Sequence, residues 1–389
     1  MAPVRAIEIT ISRKISLTTS RFFCMIKPSA ETFQQEGRCG MATLRDVAQE
    51  AGISIAAASA VLSGQAEKYR LPPATQERVR AAAASLGYRH NALARGLRRG
   101  QSDEVILLVR DLGTEITMAK MRGIAERLAA HGYATHLCHP PQRPRGFVEQ
   151  LRRLRSLRPA GVVLDGADSG EERDAVRALL DEGVPTVTLE PIDGLALDCV
   201  TVDRAHGALL ATRHLLQQGR RRIALMIKRN HPIAVVRQRE KGYRRAHKVE
   251  KVAVDESLID APTAGSFSRE SGYELARYFL TRSPRPDALF AANDRAAMGA
   301  LRAAWELGIT IPDEVAIVGF DGLSETAFTV PSLTTVAQPV EAVAAIAAER
   351  LLKHLTQANA PDEPKTFWLR PTLVLRESTE GVKAKRSQQ

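Results

Sequence analysis

The sequence predicts an α/β protein, with a small all-α unit near the N-terminus and a larger body of two doubly wound parallel-sheet lobes. Three observations lead there. From 43 to about 97 only short helical patterns occur, and Ala-rich stretches alternate with turn residues. After Gly100-Gln101-Ser102 the texture changes to apolar β-type runs followed by helical stretches, the alternation that builds parallel sheets. The βα units then outnumber what one sheet holds, and 389 residues leave room for a small unit plus two lobes.

The head elements follow from local chemistry. Thr43-Leu44-Arg45-Asp46 places an N-cap three residues before an acid, which satisfies free N–H groups at a helix start. Leu44, Val47, Ala48 and Ala51 fall at i, i+3, i+4 and i+7 and form one apolar face, and Gly52 supplies a left-handed residue for a sharp turn. Ser54 caps the second helix, with Ala58, Val61 and Leu62 inward. A third begins near Pro73, suited to a first turn, and buries Val79, Ala82, Ala83 and Leu86. In the body a strand over 105–109 precedes a helix over 118–131, a strand over 161–164 precedes a helix over 171–182, and a strand over 185–189 follows. The pattern continues through 223–227, a helix near 268–281, 288–291, a helix over 295–307 and 315–318. It closes with a helix over 340–355 and one strand over 367–374.

Composition narrows the function classes. No run of about 18 apolar residues is present, so no spanning helix is expected. Charge is uneven: residues 41–100 hold nine Lys/Arg against four Asp/Glu, while 101–389 hold 40 against 37. A basic head on a near-neutral body suits a nucleic-acid partner, since basic surface neutralises phosphate where it is concentrated. Cys24, Cys39, Cys138 and Cys199 are scattered and read as reduced cytosolic thiols. Arg5, Arg13, Lys14 and Arg21 interrupt every candidate signal core, so a cytoplasmic location is expected and 1–40 reads as a disordered leader or a misassigned start. There is no phosphate-cradling P-loop, no dinucleotide fingerprint, no G-x-S-x-G elbow and no H-E-x-x-H, so no enzyme, cofactor or metal is expected. His131, His136 and His139 are expected on a helix end and a loop rather than around an ion.

Two short helices joined by a tight Gly turn and braced by a third expose the second helix, a geometry that fits a major groove. A three-helix bundle with no DNA role has the same spacing. The residues themselves favour the first reading. Thr43-Leu44-Arg45-Asp46-Val47-Ala48, Ala51-Gly52-Ile53-Ser54, Thr75-Gln76-Glu77-Arg78-Val79 and the run from Leu86-Gly87-Tyr88 to Ala94-Arg95-Gly96-Leu97 resemble the head of LacI/GalR-type repressors, and the resemblance extends to about Leu375.

That resemblance implies a helix-turn-helix head on a periplasmic-binding-protein-like core, divided as a DNA-binding domain at 41–90, a hinge helix and linker at 91–100, an effector-binding and dimerisation domain at 101–378 and a polar tail at 379–389. It implies a hinge helix over 92–97 that forms on operator DNA with Leu97 wedged into a minor-groove step. Six residues including Gly96 are too few to hold a helix alone. Thr43, Arg45, Ser54, Ser59, Thr75, Asn91, Ala94 and Arg95 are the further implied DNA contacts. At the base-reading positions Ile55, Ala56 and Ala60 this chain departs from the family's polar residues, so readout shifts toward thymine methyls, shape and phosphates. The turn over 64–71 is longer than usual by about three residues, adding Lys68, Tyr69 and Arg70; His90 replaces a usual proline and Pro72 a usual Ser cap.

Independently of resemblance, two doubly wound lobes offer a ligand crevice at the carboxyl ends of their strands. The resemblance then assigns Arg239 (R-x-x-G-[FYW]), Asn293 (A-N-D-x-x-A-x-G) and Asp321 to the effector, with Phe267 as a stacking platform and Glu190 on the same side, facing Arg239; Asp294 is expected to cap the following helix. Leu112-Gly113-Thr114-Glu115-Ile116-Thr117 replaces the loop that commonly closes over the effector. The expected partners are a double-stranded DNA operator, a small sugar-like effector and a second copy of the chain, since the tail has no heptads for a four-chain bundle. The alternative is a two-lobed solute-binding protein without regulatory DNA binding, which leaves the head unexplained.

Overall fold

A computed structural model of the chain describes residues 42–88, 102–227, 234–259, 268–356 and 363–380, apart from positions 63, 65, 68, 111, 114, 142, 144 and 168. Two compact units are present, 1–91 and 92–389. In the first, α1 (Leu44–Glu50), α2 (Ile55–Leu62) and α3 (Pro73–Ser85) enclose Val47, Ala58, Val61, Val79 and Ala82. The Thr43 capping box is formed: its N–H donates to Asp46 Oδ2 at 2.8 Å and its Oγ1 accepts from Asp46 N–H. Gly52 takes φ 65° in the turn. Pro72 stands at the N-cap of α3 with no side-chain bond, and Pro73 opens the helix. Leu86, expected in the core, is 37% exposed; it is the C-cap residue of α3, and Tyr88 packs against the core after the Gly87 turn.

The body contains two sheets. The first has the order β10-β5-β4-β3-β1-β2 and is wholly parallel, built from β1 (Glu104–Leu108), β2 (Ala134–Cys138), β3 (Gly161–Leu164), β4 (Thr186–Thr188), β5 (Asp198–Val202) and β10 (Thr366–Leu369). Met121 and Ile124 of α4 (Glu115–Ala129) cover one face together with Val343 and Leu351 of α11 (Val340–Thr356). Leu151 of α5 (Gly146–Ser156) and Leu179 of α6 (Gly170–Asp181) cover the other. Near-continuous burial along β1, β3 and β5 is what a sheet covered on both faces requires.

The second sheet has the order β11-β9-β8-β7-β6, from β6 (Ile223–Met226), β7 (Ala288–Ala291), β8 (Ala316–Asp321), β9 (Thr334–Ala337) and β11 (Thr372–Val374). It lies between α7 (Arg204–Gln217) with α8 (Ala234–Val249) and α9 (Arg269–Leu280) with α10 (Asp294–Glu306). The expected single strand over 367–374 is two strands. β10 extends the first sheet in parallel, and after Arg370-Pro371 β11 pairs antiparallel with β9 in the second. Proline lacks the N–H a continuing ladder needs. The backbone therefore passes between the lobes three times, at 203, at 338–339 and at 370–371.

Candidate functional site

Thr43 and Arg45 are exposed at the start of α1, and Ser54, Ile55 and Ala56 at the start of α2, where Ser54 Oγ accepts from Ala57 N–H at 3.2 Å. Ser59 and Thr75 are half-buried. Ile55 is 38% exposed, an apolar side chain on the face expected to read bases. Ala60 differs from expectation. It is 5% exposed and offers almost no surface to a base. Asn91, Ala94, Arg95 and Leu97, like Lys68 and His90, lie outside the described residues.

At the carboxyl ends of the strands, Arg239 of α8 meets Asp321 at the end of β8, and Asn293 stands after β7, the strand beside β8, at the α10 N-terminus. Arg239 is 6% exposed, stacks on Phe320 at 4.4 Å and approaches Asp321 Oδ1 at 3.7 Å. Its buried Nε has no hydrogen-bond partner. Burial pulls the guanidinium down to about 10, against the pull of Asp321. Asp321 adopts φ 123°, a left-handed backbone costly for a non-glycine residue, ahead of Gly322 at φ 83°. Burial raises its carboxyl, and Arg239 and Gln338 act in the opposite direction.

The helix cap expected of Asp294 is made by Asn293 instead. Asn293 Oδ1 accepts from Ala296 N–H at 2.9 Å and is the N-cap of α10. Asp294, fully buried, turns inward and accepts from Gly322 and Leu323 N–H, each at 2.8 Å, and from Thr335 Oγ1. It thereby fixes the turn that carries Asp321. A Cβ on Gly319 would come 2.2 Å from its Oδ1, so β8 requires glycine there. Burial and the neighbouring Asp321 push the Asp294 carboxyl up to about 8.

Glu190 also differs from expectation. It faces Arg204 rather than Arg239: Arg204 Nη1 donates to Glu190 Oε2 at 3.0 Å, its Nη2 donates to Oε1, and Thr201 Oγ1 donates at 3.1 Å. Sequence reading missed Lys120, Asp165, Arg204 and Gln338 as members of this charged group. Lys120, 5% exposed on α4, donates to Gln338 Oε1 at 2.8 Å, and Gln338 Nε2 donates to Asp321 Oδ1 at 2.7 Å. One bonded chain thus runs from the first lobe to the second. Burial and Arg204 lower the Lys120 ammonium to about 8, and burial and Glu190 raise the Asp165 carboxyl to about 7. The available signal was that Lys120 falls in the i, i+4 row of Ile116, Ile124 and Leu128, the apolar face of the helix. Phe267 lies outside the described residues.

The segment before α4 meets the second lobe through polar contacts. Arg295 donates to the Gly113 carbonyl at 2.5 Å, and Glu115 lies 3.9 Å from Arg295 and 4.0 Å from Arg269. Elsewhere a cavity of about 810 Å³ lies against Arg152, Arg155, Arg158 and Glu182, where α5 and α6 end. Arginines there complement two helix C-termini. The three histidines diverge: His131 Nδ1 meets the Arg127 carbonyl, His139 Nδ1 the Val109 carbonyl, and His136 approaches Glu104.

Residues 43–91 match the model of bacterial regulatory proteins of the lacI family, and 212–379 match that of a periplasmic binding protein-like domain. The transcriptional regulator GalS of Salmonella typhimurium is 32% identical over 343 residues, 87% of this chain and 96% of that one. The chain belongs to the LacI family. Within it, a lac repressor dimer solved with operator and an anti-inducer superposes with a TM-score of 0.75 at 25% identity, covering 87% of this chain and 99% of that one. The regulator CelR, solved with cellobiose, gives 0.64 at 28% identity over 87% and 99%. A LacI-family chain is a DNA-binding transcriptional regulator, and this one carries the head and the two-lobed α/β core that define the type. Among the described residues no helix is long and apolar enough to cross a membrane.

Proposed function

We propose that this regulator is a cytoplasmic homodimeric repressor without catalytic turnover, whose grip on an operator is set by a small sugar-like molecule in the inter-lobe crevice. The observation that carries this reading is the chain Lys120–Gln338–Asp321, with Arg239 beside it. It places groups of both lobes on one small volume. A polyhydroxylated ligand exchanges bonds with that chain and favours one lobe arrangement over another, and only such a difference in affinity shifts the equilibrium. Operator binding and a dimeric state are supported by the lac repressor complex, and a sugar by the cellobiose complex. Thr43, Arg45, Ser54, Ile55, Ala56, Ser59 and Thr75 are proposed to face DNA, with the hinge helix and linker at 91–100 completing the contact; Arg239, Asn293 and Asp321 are proposed to face the ligand.

The test is selection of bound sequences from random duplex DNA with the full-length protein, repeated with a metabolite panel. One duplex class should be enriched, and one panel member should change its retention. Arg239→Ala should abolish that change and spare ligand-free DNA binding. No enrichment over random competitor, at any salt concentration, overturns the reading.

A further inference from the structure

Resting on that crevice reading, we infer that the effector is a monoanionic polyol, a sugar bearing one carboxylate, and that Lys120 selects it. Three cations act on Asp321: Arg239, Lys120 and Arg204. Arg204 is committed, since both its amino groups meet Glu190 and one also meets the Val202 carbonyl at 3.3 Å. The other two have donors to spare. Lys120 carries three N–H groups and uses one, on the neutral amide oxygen of Gln338. Arg239 makes a 3.3 Å bond to the Val235 carbonyl, while its Nε is buried with none.

A buried ammonium whose one hydrogen bond goes to a neutral amide gains when a charged acceptor reaches its remaining donors. The charged groups acting on Lys120 are Arg204, Glu190, Asp165 and Asp321, the strand-end residues of both lobes, so the ammonium lies where a crevice ligand lies. Glu190 is engaged by Arg204, so Asp165 and Asp321 are left to face Lys120 and Arg239, and a neutral sugar adds no charged acceptor to that set. A single carboxylate gives the two spare Lys120 donors a charged acceptor beside Arg239. Asp165, half-buried just after β3, has among the described residues only a backbone bond, its N–H to the Leu108 carbonyl at 3.0 Å. Its carboxyl is the acceptor left for ligand hydroxyls, and when protonated it donates to a carboxylate. A phosphate ester brings close to two charges against Asp165, Glu190 and Asp321 together and is disfavoured. An amino sugar adds a cation beside Lys120 and Arg239.

The experiment is calorimetric titration of the full-length protein with matched sets: an aldose, its aldonate and uronate, its phosphate ester and its amino sugar. Binding of the operator selected above is followed in parallel. One acid should bind at least about tenfold tighter than its neutral parent, and Lys120→Met should weaken the acid by about ten- to a hundredfold, the range for a hydrogen bond between charged groups. The parent should change less than about threefold, because a uniform loss is what mere misfolding produces. Lys120→Gln, which keeps a donor without the charge, should lose the same preference. Tighter binding of the neutral, phosphorylated or amino member overturns the assignment of an anion and leaves the regulator reading standing. So does an equal loss for acid and parent in both variants. No response to any member, with operator binding intact, overturns this inference and the crevice reading together.

Discussion

Replacing Glu190 by glutamine keeps the side chain's shape and removes its charge, which separates a structural carboxylate from one that touches the effector. In the structure the Glu190 and Arg204 side chains are 16% and 6% exposed, so the pair is held largely out of water. Removing one partner of such a pair costs about 3–5 kcal/mol, because the other charge stays buried. Asp165 already acts on Arg204 and offsets part of the loss, which places the expected cost near 3 kcal/mol. For a body of this size that corresponds to a fall in Tm of roughly 6–12 °C, read by thermal melting of the ligand-free full-length protein. The double variant Glu190→Gln/Arg204→Met should recover most of it, since removing both charges is often neutral. The Asp165 carboxyl, held up at about 7 by burial and by Glu190, should titrate lower once that neighbour is neutral. A loss below about 1 kcal/mol combined with a lost ligand response would falsify this account and make Glu190 an effector contact.

Three further outcomes are expected. At Asp198, burial works to raise the carboxyl, but bonds from Arg350, the Lys365 N–H and His354 hold it below the usual range. Its stabilising effect is therefore full above the unfolded carboxyl value of about 3.9 and is lost as pH falls through the lower folded value, so Asp198→Asn should melt well below wild type at pH 7, with the gap narrowing under about pH 4. An unchanged gap at low pH contradicts that. Phe328 and Val330 are 83% and 95% exposed, so Val330→Asp should weaken the proposed dimer by roughly tenfold or more if a buried valine is worth about 1.5–3 kcal/mol there; sedimentation that shows no shift toward monomer removes this loop from the interface. Thr43→Ala should cost the head about 1 kcal/mol through the lost cap, visible as faster amide exchange in α1 with the body unaffected.

The fold was legible where periodicity is simple. The strands at 161–164 and 288–291, the helix after the first and the helices on either side of the second follow directly from apolar runs and caps. The helices Gly146–Ser156 and Arg204–Gln217 were passed over because arginines and histidine interrupt the apolar rows that Phe147, Leu151 and Leu154, or Ala208, Ala211 and Leu215, present inward. The division at Pro371 was invisible to a pattern that counts only apolar residues, since strands of two different sheets look like one when two residues part them. Motif likeness picked out Arg239 and Asp321, which do approach one another. It could not show that Asn293 spends its oxygen on a cap while Asp294 braces the turn, because both residue types satisfy a helix start equally well. Glu190 was paired with the wrong arginine for a related reason: partners 14 residues apart leave no periodic trace.

Because the chain passes from one lobe to the other at three points, neither half is a continuous stretch of sequence, and the last short strands are shared out one to each. Cutting the gene between β5 and α7 would leave the first sheet without β10 and without α11, which covers one of its faces, rather than yield two working modules. Three covalent tethers side by side permit a swing about the line joining them and resist sliding apart. Whatever settles against Lys120 and Asp321 therefore acts on a lever with one easy direction, and a small molecule needs to tip only that single balance.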